Sequence, residues 1–456
     1  MIKNRSQLIS NGLNNYEVHR SDICDIFEVA LRAVDPEKGI YKSLSLDGER
    51  LSFEGGSIDL REVNKTIVIG GGKAGGLMAK GVEKLLGDRI NSGIVNVLEG
   101  TESATSLECV SLNGSTHPVP SESGVKGVRE MLRLTQDLNE TDLVISLISG
   151  GGSALMSMPA ENISLADLQK ITQRLLRAGV TINELNAVRK HLSSFKGGQL
   201  ARHCYPAMVI SLILSDVIGD PLDIIASGPT APDTSTFTDA QKVLKKYKLI
   251  EESPESIQLR IKQGVNGMLR ETPKIDDPIF DKVHNILIAN NNIAATASKK
   301  KADELGYNSM ILSTYFQGEA RQVGEILTDI AREVVNHERP LEKPAVIIIG
   351  GETTVTVTGD GVGGRNQELA LAASMRLNGM NCIIATLGTD GIDGPTDVAG
   401  AIVDGNTMKR SNELGLDPRT YLEKNDSYSF FRELGDAIIT GPTGTNVNDL
   451  SLILVK

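Results

Sequence analysis

The segment TIVIGGGKAG, residues 66–75, decides the fold of the first half of the chain. Its apolar, β-branched run at 66–70 predicts a buried strand, and a helical pattern begins at about Lys73, directly after three glycines. A strand that enters a glycine turn and leaves as a helix is the first half of a βαβ unit. The sequence therefore predicts a parallel sheet around this segment.

The same alternation continues on both sides of it. An amphipathic helix is predicted over 21–34, and further helical patterns lie at 124–136 and 164–179. Apolar or β-branched runs that predict strands lie at 93–98, 143–148, 208–214, 285–290, 309–313, 345–351, 354–359, 382–388 and 437–440. Strands separated by helices at this spacing indicate parallel strands with crossover helices, so the fold class is α/β.

A composition change marks a domain boundary. Residues 235–280 are polar, helical in period and without a strand pattern, and strand patterns resume beyond them. With 456 residues the chain is long enough for two domains. We therefore predict one domain over 1–280 and a second over 281–456.

Composition excludes several classes of function. Lys and Arg number 47 against 58 Asp and Glu, a net charge of −11, which argues against a nucleic acid or an anionic membrane as partner. The four cysteines are scattered singly, which is typical of thiols in a reducing cytoplasm. No signal peptide or apolar run of membrane-spanning length is visible. We expect a cytoplasmic protein with small-molecule partners; its oligomeric state, homo-oligomer included, stays open.

The first glycine loop has three interpretations. A G-x-G-x-x-G pattern begins at Gly70, and Glu99 follows the next strand where a ribose-binding acid would lie, which favours a dinucleotide. Lys73 inside the loop favours a phosphate or carboxylate instead, with the N–H groups of Gly71 and Gly72 as donors. A plain tight turn with an exposed lysine is the third interpretation.

A second glycine loop follows the run at 143–148. It consists of Ser149, Gly150, Gly151, Gly152 and Ser153. Three glycines between two hydroxyl donors form a backbone nest of the kind that holds phosphate oxygens. A flexible hinge is the alternative, but glycine triplets are costly unless the backbone must closely approach something.

Two motifs offer cations. A helical pattern beginning at Asn186 places that amide, Arg189 and Lys196 near one face. Arg365 and Asn366 follow glycines at the start of a predicted helix, where an arginine fork can bind a carboxylate or phosphate. Solvated polar faces and ordinary surface arginines are the alternatives.

Aspartates follow two of the strand runs. Asp216 and Asp220 come after the run at 208–214, and Asp390, Asp393 and Asp397 come after the run at 382–388. Carboxylates in such loops bind Mg²⁺ or accept a hydroxyl proton, although aspartates also cap turns.

Taken together, the motifs resemble one family. They are IVIGGGKAG (67–75), STHPVP (115–120), LISGGGSAL (147–155), NAVRKHLSSFKGG (186–198), LSDVIGDP (214–221), IASGPT (225–230), GGETTVTVTGDGVGGRNQE (350–368) and TDGIDGPTDVAGAIVD (389–404). In this order they resemble the class II glycerate kinases. The resemblance implies an N-terminal Rossmann-like parallel α/β domain and a C-terminal α/β MOFRL-type domain with a mixed sheet. It also implies ATP-dependent phosphorylation of D-glycerate to 2-phosphoglycerate, with Mg²⁺ or another divalent cation.

The resemblance and the motif chemistry together assign the site. Lys73 and Arg365 match the family's lysine and arginine, and because neither domain is a Walker-type or protein-kinase fold, we expect the active site in the cleft between them. Asp216 is expected to orient or deprotonate the attacking hydroxyl. The other expected roles are phosphate binding by Gly71, Gly72, Ser149, Gly150, Gly151, Gly152 and Ser153, substrate binding by Lys73, Arg189, Arg365 and Asn366, and metal binding by Asp390 and Asp393.

Two rival functions remain open. An NAD(P)H-dependent hydroxypyruvate reductase would use the G-x-G-x-x-G pattern and Glu99, but it leaves the triple-glycine and aspartate loops without roles. A sensor that binds sugar acids would use Lys73 and Arg365 to capture a carboxylate, but it needs neither a phosphate nest nor clustered aspartates.

Overall fold

A computed structural model of the protein describes residues 1–13 and 16–456 and divides the chain into two compact units. One unit is the continuous segment 36–288, and the other joins 1–35 to 289–456. Each unit has its own six-stranded sheet.

The first 35 residues form two helices. They are α1 (Arg5–Ser10) and α2 (Glu17–Ala33). α2 buries an apolar face that includes Ile23 and Phe27, as the spacing of apolar residues at 21–34 predicts.

The unit at 36–288 contains nine strands and nine helices among the described residues. The strands are β1 (Leu44–Asp47), β2 (Arg50–Phe53), β3 (Gly56–Asp59), β4 (Thr66–Gly71), β5 (Ser92–Leu98), β6 (Val110–Ser115), β7 (Leu143–Ile148), β8 (Met208–Leu214) and β9 (Val283–Ala289). The helices are α3 (Pro36–Ser43), α4 (Gly75–Leu86), α5 (Glu122–Leu134), α6 (Gly152–Leu155), α7 (Leu165–Arg177), α8 (Ile182–His191), α9 (Gln199–Cys204), α10 (Phe237–Lys246) and α11 (Glu255–Val265).

The main sheet of this unit has the order β6-β5-β4-β7-β8-β9. β4 pairs in parallel with both β5 and β7, and the outer pairs β5–β6 and β7–β8 are parallel as well. Every residue of β4 and β7 is buried. This Rossmann-like arrangement confirms the predicted fold. The strand order reverses between β4 and β7, and open α/β sheets bind ligands at the carboxyl ends of the strands beside such a reversal.

A helical group packs at one side of the unit and carries α8. Leu168 and Ile171 of α7 share a core with Val188 of α8 and with Phe237 and Ile257 of α10 and α11. α8 begins with a capping box, in which the Thr181 hydroxyl and the Glu184 carboxylate each accept from the other residue's N–H. These contacts hold α8 rigidly beside the sheet.

The second unit adds six strands and six helices among the described residues. The strands are β10 (Asn308–Phe316), β11 (Ala345–Gly351), β12 (Cys382–Gly388), β13 (Gly400–Asp404), β14 (Ala437–Ile438) and β15 (Asp449–Val455). The helices are α12 (Asn291–Glu304), α13 (Ala320–His337), α14 (Arg365–Leu377), α15 (Thr407–Glu413), α16 (Pro418–Glu423) and α17 (Ser427–Leu434).

The sheet of the second unit is mixed, as predicted. Its order is β10-β11-β15-β12-β13-β14. β10 and β11 are parallel, whereas β15 runs antiparallel between β11 and β12. All of β15 is buried, so this strand, the last along the chain, lies in the middle of the sheet.

The observed division differs from the predicted domains 1–280 and 281–456. The boundary lies at 288/289, and residues 1–35 belong to the second unit. Arg20 of α2 supplies the physical reason, because its side chain is 0% exposed and its guanidinium bonds Asp404 at 2.8 Å and Asp436 at 2.8 Å. A buried arginine satisfied by two carboxylates fixes α2 in the second unit.

The prediction of a strand at 354–359 was wrong. Apart from a single bridge at Thr354, this segment has no ladder partner among the described residues. Its N–H groups bind side chains instead, with Thr356 donating to Glu319 at 3.1 Å and Thr358 to Asn425 at 2.8 Å. Alternating Thr and Val predicts a strand only where a neighbouring strand is available.

Within the described residues, no helix combines the length and apolar character needed to cross a membrane.

Candidate functional site

The carboxyl ends of β4 and β7 bring the two glycine loops into contact. A Cβ atom at Gly70 would lie 2.0 Å from the Leu147 carbonyl oxygen, and one at Gly72 would lie 2.1 Å from Ser149 Oγ. Both glycines also have positive φ, +144° and +140°. These two glycines are needed because β7 and the loop that follows it approach so closely.

The first glycine loop uses its N–H groups within the protein. Gly72 donates to the Asn96 carbonyl at 3.0 Å and Lys73 to the Gly150 carbonyl at 2.8 Å. Ala74 donates to Ser149 Oγ at 3.1 Å. The N–H of Gly72 is therefore engaged and is not available to the phosphate for which we predicted it. The group of this loop that can contact a bound molecule is the side chain of Lys73.

The second glycine loop keeps several N–H groups without an internal acceptor. Among the described residues, the structure gives no partner to the N–H groups of Gly150, Gly151 and Ser153, whereas Gly152 donates to the Ser149 carbonyl at 3.1 Å. Gly151 has φ +80°, the left-handed conformation that turns successive N–H groups toward one point. This is the geometry of the predicted nest.

Lys73 and His117 lie over this nest. A Cβ at Gly151 would lie 3.2 Å from His117 Cδ2 and 3.3 Å from Lys73 Cγ. Lys73 is exposed and forms no ion pair within the part of the chain that the structure describes. Partial burial and the positive charge of Lys73 both lower the pKa of His117, so its ring is neutral at pH 7. His117 was not predicted as a site residue, although it lies in STHPVP, one of the motifs that carry the family resemblance.

Asp216 lies at the same edge of the sheet. It follows β8, and its Oδ2 lies 2.0 Å from the position that a Cβ at Gly150 would take. The carboxylate therefore rests directly against the nest, where the sequence analysis expected a group that orients or deprotonates a hydroxyl.

The cations of α8 have different partners. Lys190 pairs with Asp223 and Asp233, both at 3.2 Å, so its charge is already compensated. Arg189 donates to the Ser153 carbonyl at 2.9 Å and has no carboxylate at ion-pair distance within residues 1–13 and 16–456. Burial lowers its pKa to about 10. Arg189 is therefore an uncompensated cation beside the nest, as its predicted role requires.

A strained turn contacts the second glycine loop. Ala226 and Ser227 have φ +50° and +63°, a conformation that non-glycine residues rarely adopt. The Ser227 hydroxyl lies 2.7 Å from Ser153 Oγ and donates to Asn186 Oδ1 at 2.9 Å. Ser227 was not predicted as a site residue. The signal that could have found it is the turn sequence IASGPT, in which Gly and Pro directly follow this serine.

In the second unit, Arg365 opens onto a cavity of about 810 Å³. Its guanidinium donates to Asp449 through Nε at 2.6 Å and Nη2 at 2.9 Å, and Nη1 lies 3.0 Å from Glu352. Burial raises the pKa of Asp449 to about 6, although the bonds from Arg365 act in the opposite direction. The guanidinium is thus fixed by two carboxylates at the wall of the cavity.

Asn366 is buried and acts within the protein. Its Nδ2 donates to Asp393 at 3.2 Å and its Oδ1 accepts from Thr386 at 2.5 Å. This placement does not suit the predicted substrate contact, because both ends of the amide already have partners. Asn366 instead fixes the first turn of α14, which carries Arg365.

Asp393 does not fit the predicted metal ligand. Oδ1 accepts from the N–H and Nδ2 of Asn366, and Oδ2 accepts from the N–H and Nε2 of Gln367. Four hydrogen bonds occupy the four lone-pair positions of the carboxylate, which therefore caps α14. Asp390 accepts from the N–H of Ile392 at 3.0 Å. In the described residues no three His, Cys, Asp or Glu side chains are grouped to hold a metal ion.

Two known families match the chain in sequence. A domain of unknown function, DUF4147, matches residues 22–262, and the MOFRL family matches residues 345–449.

Three curated relatives are similar over nearly their whole length. D-glycerate 2-kinase of Thermotoga maritima is 43% identical over 94% of this chain and 97% of its own. Glycerate 2-kinase of Pyrococcus horikoshii is 40% identical over 93% and 95%. A protein of Agrobacterium vitis, provisionally named a hydroxypyruvate reductase, is 38% identical over 94% and 93%.

Two crystal structures share the fold. Glycerate kinase from Thermotoga maritima superposes with a TM-score of 0.86 at 42% identity, covering 96% of this chain and all of that one. A protein from Pyrococcus horikoshii OT3 superposes with a TM-score of 0.87 at 39% identity, covering 96% and 98%. The chain therefore belongs to the glycerate kinase family in which a DUF4147 region precedes a MOFRL region.

Proposed function

We propose that the protein is a glycerate 2-kinase, which transfers the γ-phosphoryl group of ATP to the 2-hydroxyl of D-glycerate. The observation that carries this proposal is the set of groups at the carboxyl edge of β4, β7 and β8. There three charged side chains contact the second glycine loop: Asp216 lies against Gly150, the exposed Lys73 against Gly151, and the uncompensated Arg189 donates to the Ser153 carbonyl. The names of the relatives support the same activity.

These groups match the requirements of phosphoryl transfer. The transferring group carries negative charge on its equatorial oxygens, which cations and N–H donors stabilise. We assign that role to Lys73 and to the N–H groups of Gly150, Gly151 and Ser153. The glycerate hydroxyl oxygen bonds to the γ-phosphorus, the bond to the β–γ bridging oxygen breaks, ADP leaves, and Asp216 receives the hydroxyl proton.

Arg365 is assigned to the same reaction. Its guanidinium is held by Asp449 and Glu352, and its side chain lines the cavity, where a ligand can reach it. A rigid fork of this kind binds a carboxylate or phosphate through two parallel hydrogen bonds. Asn366 then acts indirectly, by holding the turn from which Arg365 projects.

Magnesium enters the proposal as part of the substrate, MgATP. Asp393 is engaged with α14 and is not assigned to the metal. Asp390 stays a predicted ligand, because its Oδ1 accepts from the N–H of Ile392 and its Oδ2 has no partner among the described residues.

The reductase alternative loses its main support. A dinucleotide fingerprint presents free N–H groups to the pyrophosphate. In this loop the N–H groups of Gly72, Lys73 and Ala74 all donate within the protein.

A cytoplasmic setting is part of the proposal, because all four cysteines are free thiols.

One assay tests the proposed function. Purified protein is incubated with D-glycerate, ATP and Mg²⁺, and 2-phosphoglycerate is detected through enolase without added mutase. We expect a signal that EDTA abolishes and that Lys73→Ala and Asp216→Asn reduce by roughly a hundredfold or more. No product, together with NADH oxidation on hydroxypyruvate, would show that the protein is a reductase. Wild-type turnover by Asp216→Asn would remove its assigned role.

A further inference from the structure

The amide of Asn186 has a donor without a partner. The residue is 2% exposed, and its Oδ1 accepts from Ser227 Oγ at 2.9 Å. Its Nδ2 has no hydrogen-bond partner within the described residues. A buried amide donor left unpaired is unfavourable, so such a group in a native site indicates a missing acceptor.

Asn186 and Arg189 are both linked to Ser153. The Ser227 hydroxyl that binds Asn186 lies 2.7 Å from Ser153 Oγ, and Arg189 donates to the Ser153 carbonyl at 2.9 Å. Asn186 and Arg189 are three residues apart on α8 and therefore share one face. An amide and a guanidinium thus lie side by side at the second glycine loop.

The charge of this cluster is also uncompensated. Lys196 is 1% exposed and donates to the Met156 carbonyl at 2.9 Å. Like Arg189, it has no carboxylate at ion-pair distance in the portion of the chain described. Burial and the charge of Arg189 lower the pKa of Lys196 well below its ordinary value. A cation without a counter-charge is costly where it is buried, as Lys196 is, or half-buried, as Arg189 is, and one bound anion would offset both charges.

We propose that Asn186 and Arg189 bind the carboxylate of the substrate and that Lys196 is its buried counter-charge. The inference rests on the proposed function and names the group of the substrate that this face recognises. Asn186 Nδ2 donates to one carboxylate oxygen and Arg189 to the other. An acid is selected over a neutral alcohol, because a neutral ligand leaves these donors and charges without partners.

A carboxylate suits this face better than a phosphoryl group. Lys73 and the N–H groups of Gly150, Gly151 and Ser153 already offer the several donors that three phosphoryl oxygens need. Asn186 and Arg189 add one amide and one planar fork, which match the two oxygens of a carboxylate.

The test is direct binding to the full-length protein. Calorimetry measures the Kd of D-glycerate and of MgATP for the wild type and for Asn186→Asp, which keeps the Ser227 contact but replaces the donor by a negative charge. We expect the Kd of D-glycerate to rise roughly ten- to a hundredfold and that of MgATP to stay within about twofold. Arg189→Lys, which keeps the charge but loses the fork, should also weaken D-glycerate binding.

A matched control separates this effect from general damage. Ser146 in β7 is another buried residue whose polar atom has no partner among the described residues, and Ser146→Ala should leave both Kd values unchanged. D-Glyceramide, the neutral amide of the substrate, should bind wild type, Asn186→Asp and Arg189→Lys equally weakly. If Asn186→Asp does not fold, the Kd values of D-glycerate and D-glyceramide for wild type and Arg189→Lys decide the question.

Each outcome bears on the inference separately from the proposed function. A higher Kd for MgATP with an unchanged Kd for D-glycerate would assign this face to a phosphoryl group and overturn the inference. Unchanged Kd values for both ligands would show that the unpaired donor of Asn186 binds neither of them. That outcome would also overturn the inference. A wild type that binds D-glycerate through Asn186 but forms no 2-phosphoglycerate would overturn the proposed function and leave the inference standing.

Discussion

Arg365 and Asp449 are joined by two parallel hydrogen bonds, 2.6 Å from Nε and 2.9 Å from Nη2, although 84 positions separate them in the sequence. Arg365 begins α14 and Asp449 begins β15, the strand at the centre of the mixed sheet. The proposed catalytic arginine is thus attached to a central strand in which every residue is buried.

The dependence of kcat/KM on pH below neutrality should reflect the ionisation of Asp449 beside Arg365. The pKa of Asp449 is raised to about 6, so protonation below that pH removes an acceptor from the guanidinium of Arg365. We expect kcat/KM to fall below about pH 6 in the wild type. Asp449→Asn should lower the plateau by roughly ten- to a hundredfold and lose this limb. A profile that keeps the same acid limb in Asp449→Asn would contradict the assignment.

Stability should respond to Asp449 in the opposite sense. A carboxyl whose pKa is higher in the folded protein contributes stability at low pH, and that contribution is lost as the pH rises through about 6. At pH 7 the carboxyl is ionised in both states, but its ionisation costs more free energy in the folded protein than in the unfolded chain. We expect Asp449→Asn to melt at the same temperature as the wild type or higher, measured by calorimetry at pH 7. A lower melting temperature would show that the ion pair outweighs burial.

Lys73 should matter for activity and not for stability. Its side chain is exposed and lies over the second glycine loop. We expect Lys73→Ala to reduce kcat by roughly a hundredfold or more while the free energy of unfolding changes by less than about 0.5 kcal/mol. Lys126→Ala, at another exposed lysine of the same unit, is the control and should retain full activity.

Two glycines of the same region give a matched pair of substitutions. At Gly72 a Cβ would lie 2.1 Å from Ser149 Oγ with φ at +140°, whereas at Gly76 the nearest atom would be 3.6 Å away. We expect Gly72→Ala to destabilise the fold by about 3 kcal/mol, because it pushes the second glycine loop away. Gly76→Ala, inside α4, should be neutral or stabilising by up to about 1 kcal/mol. Urea unfolding distinguishes the two, and equal effects would contradict the described packing.

Arg20 should be essential for the unit formed by 1–35 and 289–456. Replacing it by Met leaves Asp404 buried without its arginine, whereas Asp436 keeps Arg410 as a cationic partner. We expect Arg20→Met to lower the free energy of unfolding by about 3–5 kcal/mol. Arg32→Met, at an exposed arginine of the same helix, is the control. A loss below about 1 kcal/mol would show that α2 is held by its apolar face alone.

Much of the fold was predictable because the central strands are buried on both faces. The runs at 143–148, 208–214, 345–351 and 382–388 coincide with β7, β8, β11 and β12. A strand of this kind is a short continuous apolar run, which periodicity detects without information on its neighbours.

Elements that depend on distant partners were not predictable. β15 was missed, because nothing in its local pattern shows that it enters a sheet between β11 and β12. The small antiparallel sheet of β1, β2 and β3 was missed for a similar reason, since short exposed strands carry little apolar signal.

The site was predicted in part. The structure brings Lys73, the second glycine loop, Asp216 and Arg189 to one edge of a sheet, and the rule that parallel strands place their following loops together made that expectation possible. Asp393 was misassigned because a carboxylate that caps a helix and one that binds a metal look the same in sequence. Asp449 was missed as the partner of Arg365, since the contact links residues far apart in the chain.

The second unit joins two segments that are far apart in the chain, and this has a consequence for biosynthesis. Residues 36–288 form one continuous segment that can fold as soon as the ribosome has released it. α2 is made before that segment, yet it packs mainly against α12, which is made after it. Its apolar face therefore has to wait, for on the order of tens of seconds at ordinary translation rates, until residue 304 has been synthesised. We expect protection of this face by a chaperone during that interval to raise the yield of folded protein.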